Sequence, residues 1–267
     1  MQRTRIEWVR NQDGSQGCTL NPIKGLCPMH CKNLEGYEYC YAAGKRGLYK
    51  RFKWNKAIRF NINPLLAIKR RKKPAGIFLG STFELFWDGL ERFWLDSIFA
   101  TIRACPQHRF YLLTKCPQNL IKFSPFPQNC YVGATATNQE QFDNAVKYLK
   151  QVEATVKFLS FEPLLSHIIL DKSLPGGSKM PNKLEQAGID WVIIGSQSQP
   201  NIYAKEEWIQ EIEQACDKVG IPIFEKSNLR RVWDKPPRQE MPDADKEREI
   251  LYKHPHLCKP EYDEEEI

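Results

Sequence analysis

The stretch CYVGATATNQEQFDNAVKYLKQVEATVKFLSFEP, residues 130–163, decides the fold. It opens on CYVGAT, a short apolar run with no polar alternation, the pattern of a strand buried on both faces. From Asn138 the period changes to helical spacing, and Asn138 with Gln141 matches a capping pair at a helix start. VKFLSFEP, residues 156–163, returns to an apolar run. A strand, a helix and a second strand in this length make a βαβ unit with a right-handed crossover and parallel strands.

The same alternation extends in both directions. GIFLGS (76–81), RFYLLTK (109–115), DWVIIGSQS (190–198) and IPIFEKS (221–227) read as further buried strands, and one more is expected near CTLNPI, just before the clustered cysteines. LERFWLDSIFATIRAC and AKEEWIQEIEQACDKVG carry helical spacing, the second closing on Gly220. LPGGSKMPNKLEQAG is an irregular excursion where a full helix would be expected. About seven parallel strands suit an α/β fold of the incomplete, TIM-type (β/α) barrel kind better than a closed eightfold one. The expected organisation is one barrel-like domain over residues 1–228. A polar extension over 229–267, with room for one short helix, ends in the acidic tail PEYDEEEI.

At 267 residues and 42% hydrophobic, the chain can bury one large core. No apolar run is long enough to cross a bilayer, and MQRTRIEWVR lacks the apolar centre of a signal peptide, so a cytoplasmic chain with no membrane partner is expected. In that reducing compartment nine cysteines argue against a disulfide framework, and the clustered ones point to metal or redox chemistry. The net charge of +7 is unevenly spread: no acidic residue lies between Glu38 and Glu84. That interval holds GKRGLYKRFKWNKAIRF (44–60) and IKRRKKP (68–74), with Tyr49, Phe52, Trp54 and Phe60 among the cations. Such a run is either a solvated helix face or a surface that tracks phosphates and stacks unpaired bases. Electrostatics makes DNA, RNA or a nucleotide the leading partner class.

GLCPMHCKNLEGYEYCYAAG, residues 25–44, places Cys27, Cys31 and Cys40 in one loop after the first expected strand. In parallel α/β sheets ligands sit at the carboxyl ends of the strands, so this loop opens onto the barrel mouth. Three thiolates there suit a [4Fe-4S] cluster that keeps one iron free for a non-protein ligand, and an open position is what a catalytic metal centre requires. The rival reading adds Cys18 as a fourth thiolate, giving a closed zinc knob beside a non-catalytic nucleic-acid-binding module. Cys105, Cys130, Cys216 and Cys258 lack the spacing of a second cluster. Glu162, an acid before Pro163 at the end of an apolar run, is a candidate site residue.

The loop resembles the signature of the radical S-adenosylmethionine superfamily. The spacing from Cys27 to Cys31 matches it; within KNLEGYEY, six extra residues then precede Cys40, and Tyr39 supplies the aromatic that usually stands before the third cysteine. The ordered set IEW (6–8), NPIKG (21–25), CYA (40–42), LLTK (112–115), FEPLL (161–165), DWVIIG (190–195) and the lysine of IFEKS is similar to a phage- and bacterium-associated radical-SAM-like family of unknown function, across roughly residues 5–228. Leu20 departs from that family's Trp, and GSQSQ, with Gln197, departs from its acidic Gly-Gly-Glu turn.

The resemblance implies a reduced cluster that cleaves S-adenosylmethionine to methionine and a 5′-deoxyadenosyl radical, which takes hydrogen from a substrate such as nucleic acid or a nucleotide, in modification or repair. It also implies an electron donor such as flavodoxin or ferredoxin. On this reading Tyr39 lies near the adenine, Ser81 and Glu84 contact the methionine end, and Thr135 and Asn138 reach the ribose. Glu162 lines the same mouth. Lys115 and Lys226, at strand ends, bind an anionic substrate or the cofactor carboxylate, or are snorkelling lysines. Cys116 returns a hydrogen atom to the substrate radical, as a cysteine does in the related spore photoproduct lyase, or is a packed thiol.

Overall fold

The structure, a computed structural model, describes residues 2–32, 36, 38–43, 47–51, 53, 56–170, 182–198, 200–232 and 234–242. Phe52, Trp54, Cys258, residues 174–181 of the expected excursion and the acidic tail lie outside them.

One sheet contains eight strands in chain order. They are β1 (Gln2–Arg3), β2 (Cys18–Leu20), β3 (Gly76–Leu79), β4 (Arg109–Thr114), β5 (Cys130–Thr135), β6 (Val156–Phe161), β7 (Trp191–Ile194) and β8 (Ile223–Glu225). β1 runs antiparallel to β2, and every later neighbour pair is parallel. All the expected strands are present, curled into a half-barrel. Helices α1 (Asn63–Arg70), α2 (Arg92–Arg103), α3 (Gln139–Leu149) and α4 (Glu206–Asp217) make the crossovers. The backbone N–H of Gln141 donates to Asn138 Oδ1 at 3.0 Å, so the capping pair at the start of α3 is formed. Between β4 and β5 a 3₁₀ helix, Pro117–Phe123, takes the place of an α-helix. Residues 183–186 of the excursion form a single helical turn.

Alternation along each strand divides the side chains between two cores. On the convex face Phe110, Leu112, Val132, Leu159 and Ile194 pack with helix residues such as Ile98, Phe142 and Ile209. On the concave face Phe78, Tyr111, Tyr131, Phe158, Trp191 and Phe224 gather around Trp8. Trp8 comes from the segment between β1 and β2, and its ring centroid lies 5.0 Å from that of Phe78, 5.7 Å from Tyr111 and 5.9 Å from Phe158. An aromatic plug therefore fills the space inside the curl. The plug segment crosses so close to β3 that a Cβ on Gly76 would sit 1.9 Å from the Arg10 carbonyl oxygen, and only glycine fits there.

A two-residue strand ends the sheet on one side and a backbone-bonded segment covers the other, without closing the barrel. β1 pairs along β2. Along β8, Glu225 N–H donates to Arg238 O at 2.6 Å and Glu240 N–H to Ile223 O at 2.9 Å. Trp191 Nε1–H reaches Glu240 O at 3.0 Å, and Met241 packs against the concave aromatic core. The first part of the expected extension thus belongs to the sheet. Its polar sequence hides this role, because an edge segment bonded through its backbone needs no apolar run. Among the described residues no helix is long and apolar enough to cross a membrane.

Candidate active site at the barrel mouth

Backbone bonds join the two ends of the insertion before Cys40. Tyr39 N–H donates to Cys31 O at 3.1 Å, and Lys32 pairs with Glu38 as an antiparallel bridge. Gly36, between them, has φ of 83°, a left-handed conformation that glycine takes without strain. The bond from Tyr39 therefore keeps Cys40 beside Cys31 despite the longer spacing. The neighbouring Cys31 thiol, against burial and with help from the N–H groups of Ala43 and Ala42, lowers the Cys40 pKa. The neighbouring Cys40, with burial, raises Cys31. Burial raises Cys27, opposed by N–H donors of Met29 and Glu84, and the charge of Cys40 also acts on it. Tyr49 ties this loop to the β3 side: Cys27 N–H donates to its hydroxyl at 3.3 Å, and the hydroxyl donates to Thr82 O at 2.9 Å.

Among the described residues no three His, Cys, Asp or Glu side chains converge as the ligands of a single ion do. An iron-sulfur cluster places its cysteines on different irons, so its ligands surround a larger body than one ion. Cys18 is turned elsewhere. It lies in β2, is buried in the convex core and donates its thiol to Gly76 O at 3.6 Å, at the start of β3. Gly76 opens β3 at its amino end, whereas the cysteine loop follows β2 at its carboxyl end.

On the β3–β4 side the mouth is tied together by its own polar groups. Asn21, from NPIKG, donates to Ser81 Oγ at 3.1 Å and accepts from Thr82 N–H at 3.1 Å. The buried Glu84 accepts from Phe86 N–H at 3.0 Å and Thr114 Oγ1 at 2.6 Å through one oxygen, and from Lys115 N–H at 2.8 Å through the other. Ser81 and Glu84 thus have structural partners at the positions where the resemblance puts the methionine end. Burial works against the charge of Lys115, but Tyr39, Cys31, Glu84 and Cys40 together hold its pKa above the ordinary lysine value. Lys115 is therefore the cation of the cysteine pocket. Tyr39 is buried there, which raises its pKa, and it hydrogen-bonds Thr137. Cys116 donates its thiol to Met29 Sδ at 3.7 Å, next to the cysteine loop, and burial pushes its pKa up to about 12.

The β5–β8 side offers unused polar groups. Thr135 and Ser160 face each other in the register of β5 and β6, on the concave face that Tyr131 and Phe158 occupy lower down. Both hydroxyls are buried and have no hydrogen-bond partner among the described residues, and the same holds for Gln197 Oε1. Asn138 has its Oδ1 engaged in the cap of α3. Above Ser160, Glu162 pairs with Lys226 and accepts from Trp8 Nε1–H at 3.2 Å. Burial opposes the Lys226 charge and Glu162 outweighs it, so the Lys226 pKa is raised. A Cβ on Gly195, between their strands, would lie 2.9 Å from Lys226 Cδ and 3.3 Å from Glu162 Cγ, so its missing side chain leaves room for the pair. Ser160 and Trp8 were not among the expected site residues. The period-2 step from Phe158 through Ser160 to Glu162 carries the signal for the first, and IEW marks Trp8 as part of a motif without indicating what it does.

The mouth has two unlike halves. One carries three thiols and a lysine; the other carries buried hydroxyls without partners and an ion pair. The thiols are a donor set for iron, and orphaned buried hydroxyls are groups that a polar ligand would satisfy. The residues present fit a cluster with an organic ligand beside it.

No curated protein and no solved structure matches the chain. Residues 3–242, nearly all of those described, match the family described as protein of unknown function, DUF5131, and the chain belongs to that family.

Proposed function

We propose that the protein is a radical S-adenosylmethionine enzyme. The observation that supports this reading is the backbone bond from Tyr39 to Cys31, which keeps Cys40 beside Cys31 in the loop that also carries Cys27 and follows β2. Cys27, Cys31 and Cys40 would hold a [4Fe-4S] cluster, and S-adenosylmethionine would bind beside it. When bound, these groups supply one-electron cleavage of the sulfonium to methionine and a 5′-deoxyadenosyl radical that removes hydrogen from a substrate.

The chain's own residues do the rest. Lys115 offsets the negative charge of a thiolate-rich site. Thr135 and Ser160 offer hydroxyls to a polar ligand lying across β5 and β6. The Glu162–Lys226 pair, anchored by Trp8, holds the far wall, and the aromatic floor keeps water out from below. An electron donor of the flavodoxin or ferredoxin kind is required.

Anaerobic reconstitution of the full chain with iron and sulfide tests the proposal. Brown protein with thiolate-to-iron charge-transfer absorption, making 5′-deoxyadenosine from S-adenosylmethionine and dithionite, is the expected result. Each of Cys27→Ser, Cys31→Ser and Cys40→Ser should abolish it, while Cys18→Ser should retain the colour. Reconstituted protein that takes up no iron, or that makes no 5′-deoxyadenosine, refutes the assignment.

A further inference from the structure

The long basic stretch is not one surface. Asn61 N–H donates to Pro22 O at 2.7 Å, just beyond the carboxyl end of β2, so α1 begins at the mouth. At its other end Gln107 Nε2 donates to Arg71 O at 3.1 Å, beside the amino end of β4. Lys69, Arg70, Lys72 and Lys73 therefore lie at the end of α1 away from the mouth, about 12 Å along a helix of its length. The exposed Lys50, Lys53, Lys56 and Arg59 precede α1, on the mouth side.

An aromatic cluster lies on the same side of α1. Residues 59–60 pair with Ile23–Lys24, which places Phe60 directly before the cysteine loop. The contact is close: a Cβ on Gly25 would lie 2.7 Å from Ala57 O. Phe60 stacks on Trp94 at 5.7 Å and 11°, and Phe93 packs edge-on to Phe60 at 6.4 Å. Phe93 stands in the first turn of α2, the turn that faces the mouth in a right-handed βαβ crossover. It is 59% exposed, the most exposed large hydrophobic side chain among the described residues. For the basic stretch the nearest acids in sequence are Glu38 and the buried Glu84; beside Phe93 stand the exposed Glu91 and Asp96, of which Asp96 is paired with Arg92 at 2.9 Å.

We propose that this rim binds single-stranded nucleic acid, with an unpaired base stacked on the open face of Phe93 and phosphates held by Lys56, Arg59 and their neighbours. Cations alone would accept any polyanion. An exposed ring braced by two other aromatics selects for a free base face, which a duplex hides inside its own stack. The proposal deepens the radical-enzyme reading by naming its substrate class, and rests on that reading only for what happens after binding.

Fluorescence anisotropy with labelled mixed-sequence oligonucleotides, single-stranded DNA and RNA and the matching duplexes, tests it on the full chain without cofactor. Single strands should bind more tightly than duplex. Phe93→Ala should weaken single-strand binding about fivefold or more, from a stacking contribution of about 1 kcal/mol or above, and leave the salt dependence unchanged. Phe93→Leu should lose as much, since it restores bulk but not the aromatic face. Arg59→Glu should flatten the plot of log affinity against log salt by at least about one unit, and Lys72→Glu should change it less. Equal affinity for strand and duplex with no effect of Phe93→Ala overturns the proposal. So does absence of binding at low salt, or binding to acidic polypeptide in preference to oligonucleotide. These outcomes are independent of 5′-deoxyadenosine formation, so either reading can fail alone.

Discussion

The indole N–H of Trp8 donates to the Glu162 carboxylate at 3.2 Å, joining residues 154 positions apart. The other Glu162 oxygen pairs with Lys226, and Glu7, next to Trp8, accepts from both the N–H and the hydroxyl of Ser227 at 2.9 Å. The short motifs IEW, FEPLL and IFEKS, scattered along the chain, thus meet where the aromatic plug is latched to the mouth. The plug and the far wall of the site are one unit.

Removing that plug should be costly. Trp8→Ala leaves a cavity among Phe78, Tyr111 and Phe158, and unfolding by urea should show a loss of about 3–5 kcal/mol. Trp8→Phe should lose less, because the ring is kept and mainly the hydrogen bond to a charged group disappears. Equal losses for the two variants would show that the indole N–H governs the site rather than the packing.

Glu84 joins the loop after β3 to the end of β4 by three hydrogen bonds. Glu84→Ala should leave the buried N–H of Phe86 and the Thr114 hydroxyl without their acceptor, and lower stability by about 3 kcal/mol in denaturant titration. A loss within about 0.5 kcal/mol would mean that water replaces the carboxylate at no penalty.

Burial raises the Glu225 pKa to about 7, reinforced by the neighbouring Glu213 and opposed by the N–H of Arg238. The folded state therefore binds this proton more tightly than the unfolded state, whose carboxyl titrates near its ordinary value of 4.5. The resulting stability is fully present below that ordinary value and is lost as pH rises to about 7. Glu225→Gln should flatten melting temperature against pH across that window relative to the parent protein. Parallel curves would exclude Glu225 as the titrating group.

The backbone bond from Tyr39 to Cys31 predicts that the length of the insertion is dispensable. Deleting residues 33–38 leaves Lys32 and Tyr39 between Cys31 and Cys40, and the shortened chain should load iron to the same extent after reconstitution. Loss of the iron absorption, with the melting temperature unchanged, would show that the arm itself orders the cysteines.

What local pattern determines was legible early. The apolar runs gave β3 to β8, the helical spacing gave α2, α3 and α4, and Asn138 with Gln141 marked the start of α3, because burial on both faces and capping act over a few neighbouring residues. The grouping of Cys27, Cys31, Tyr39 and Cys40 was likewise visible as one loop. Which groups meet across the fold was decided by the tertiary structure alone. The curl of the sheet sets Trp8 against Glu162 and Thr135 beside Ser160. The crossover direction divides the basic run between the two ends of α1, and the bare edge of β8 recruits Arg238–Glu240 through backbone bonds that leave no trace in side-chain periodicity. Those contacts join distant residues through shape and unsatisfied polar groups, and such long-range pairing has no period along the chain.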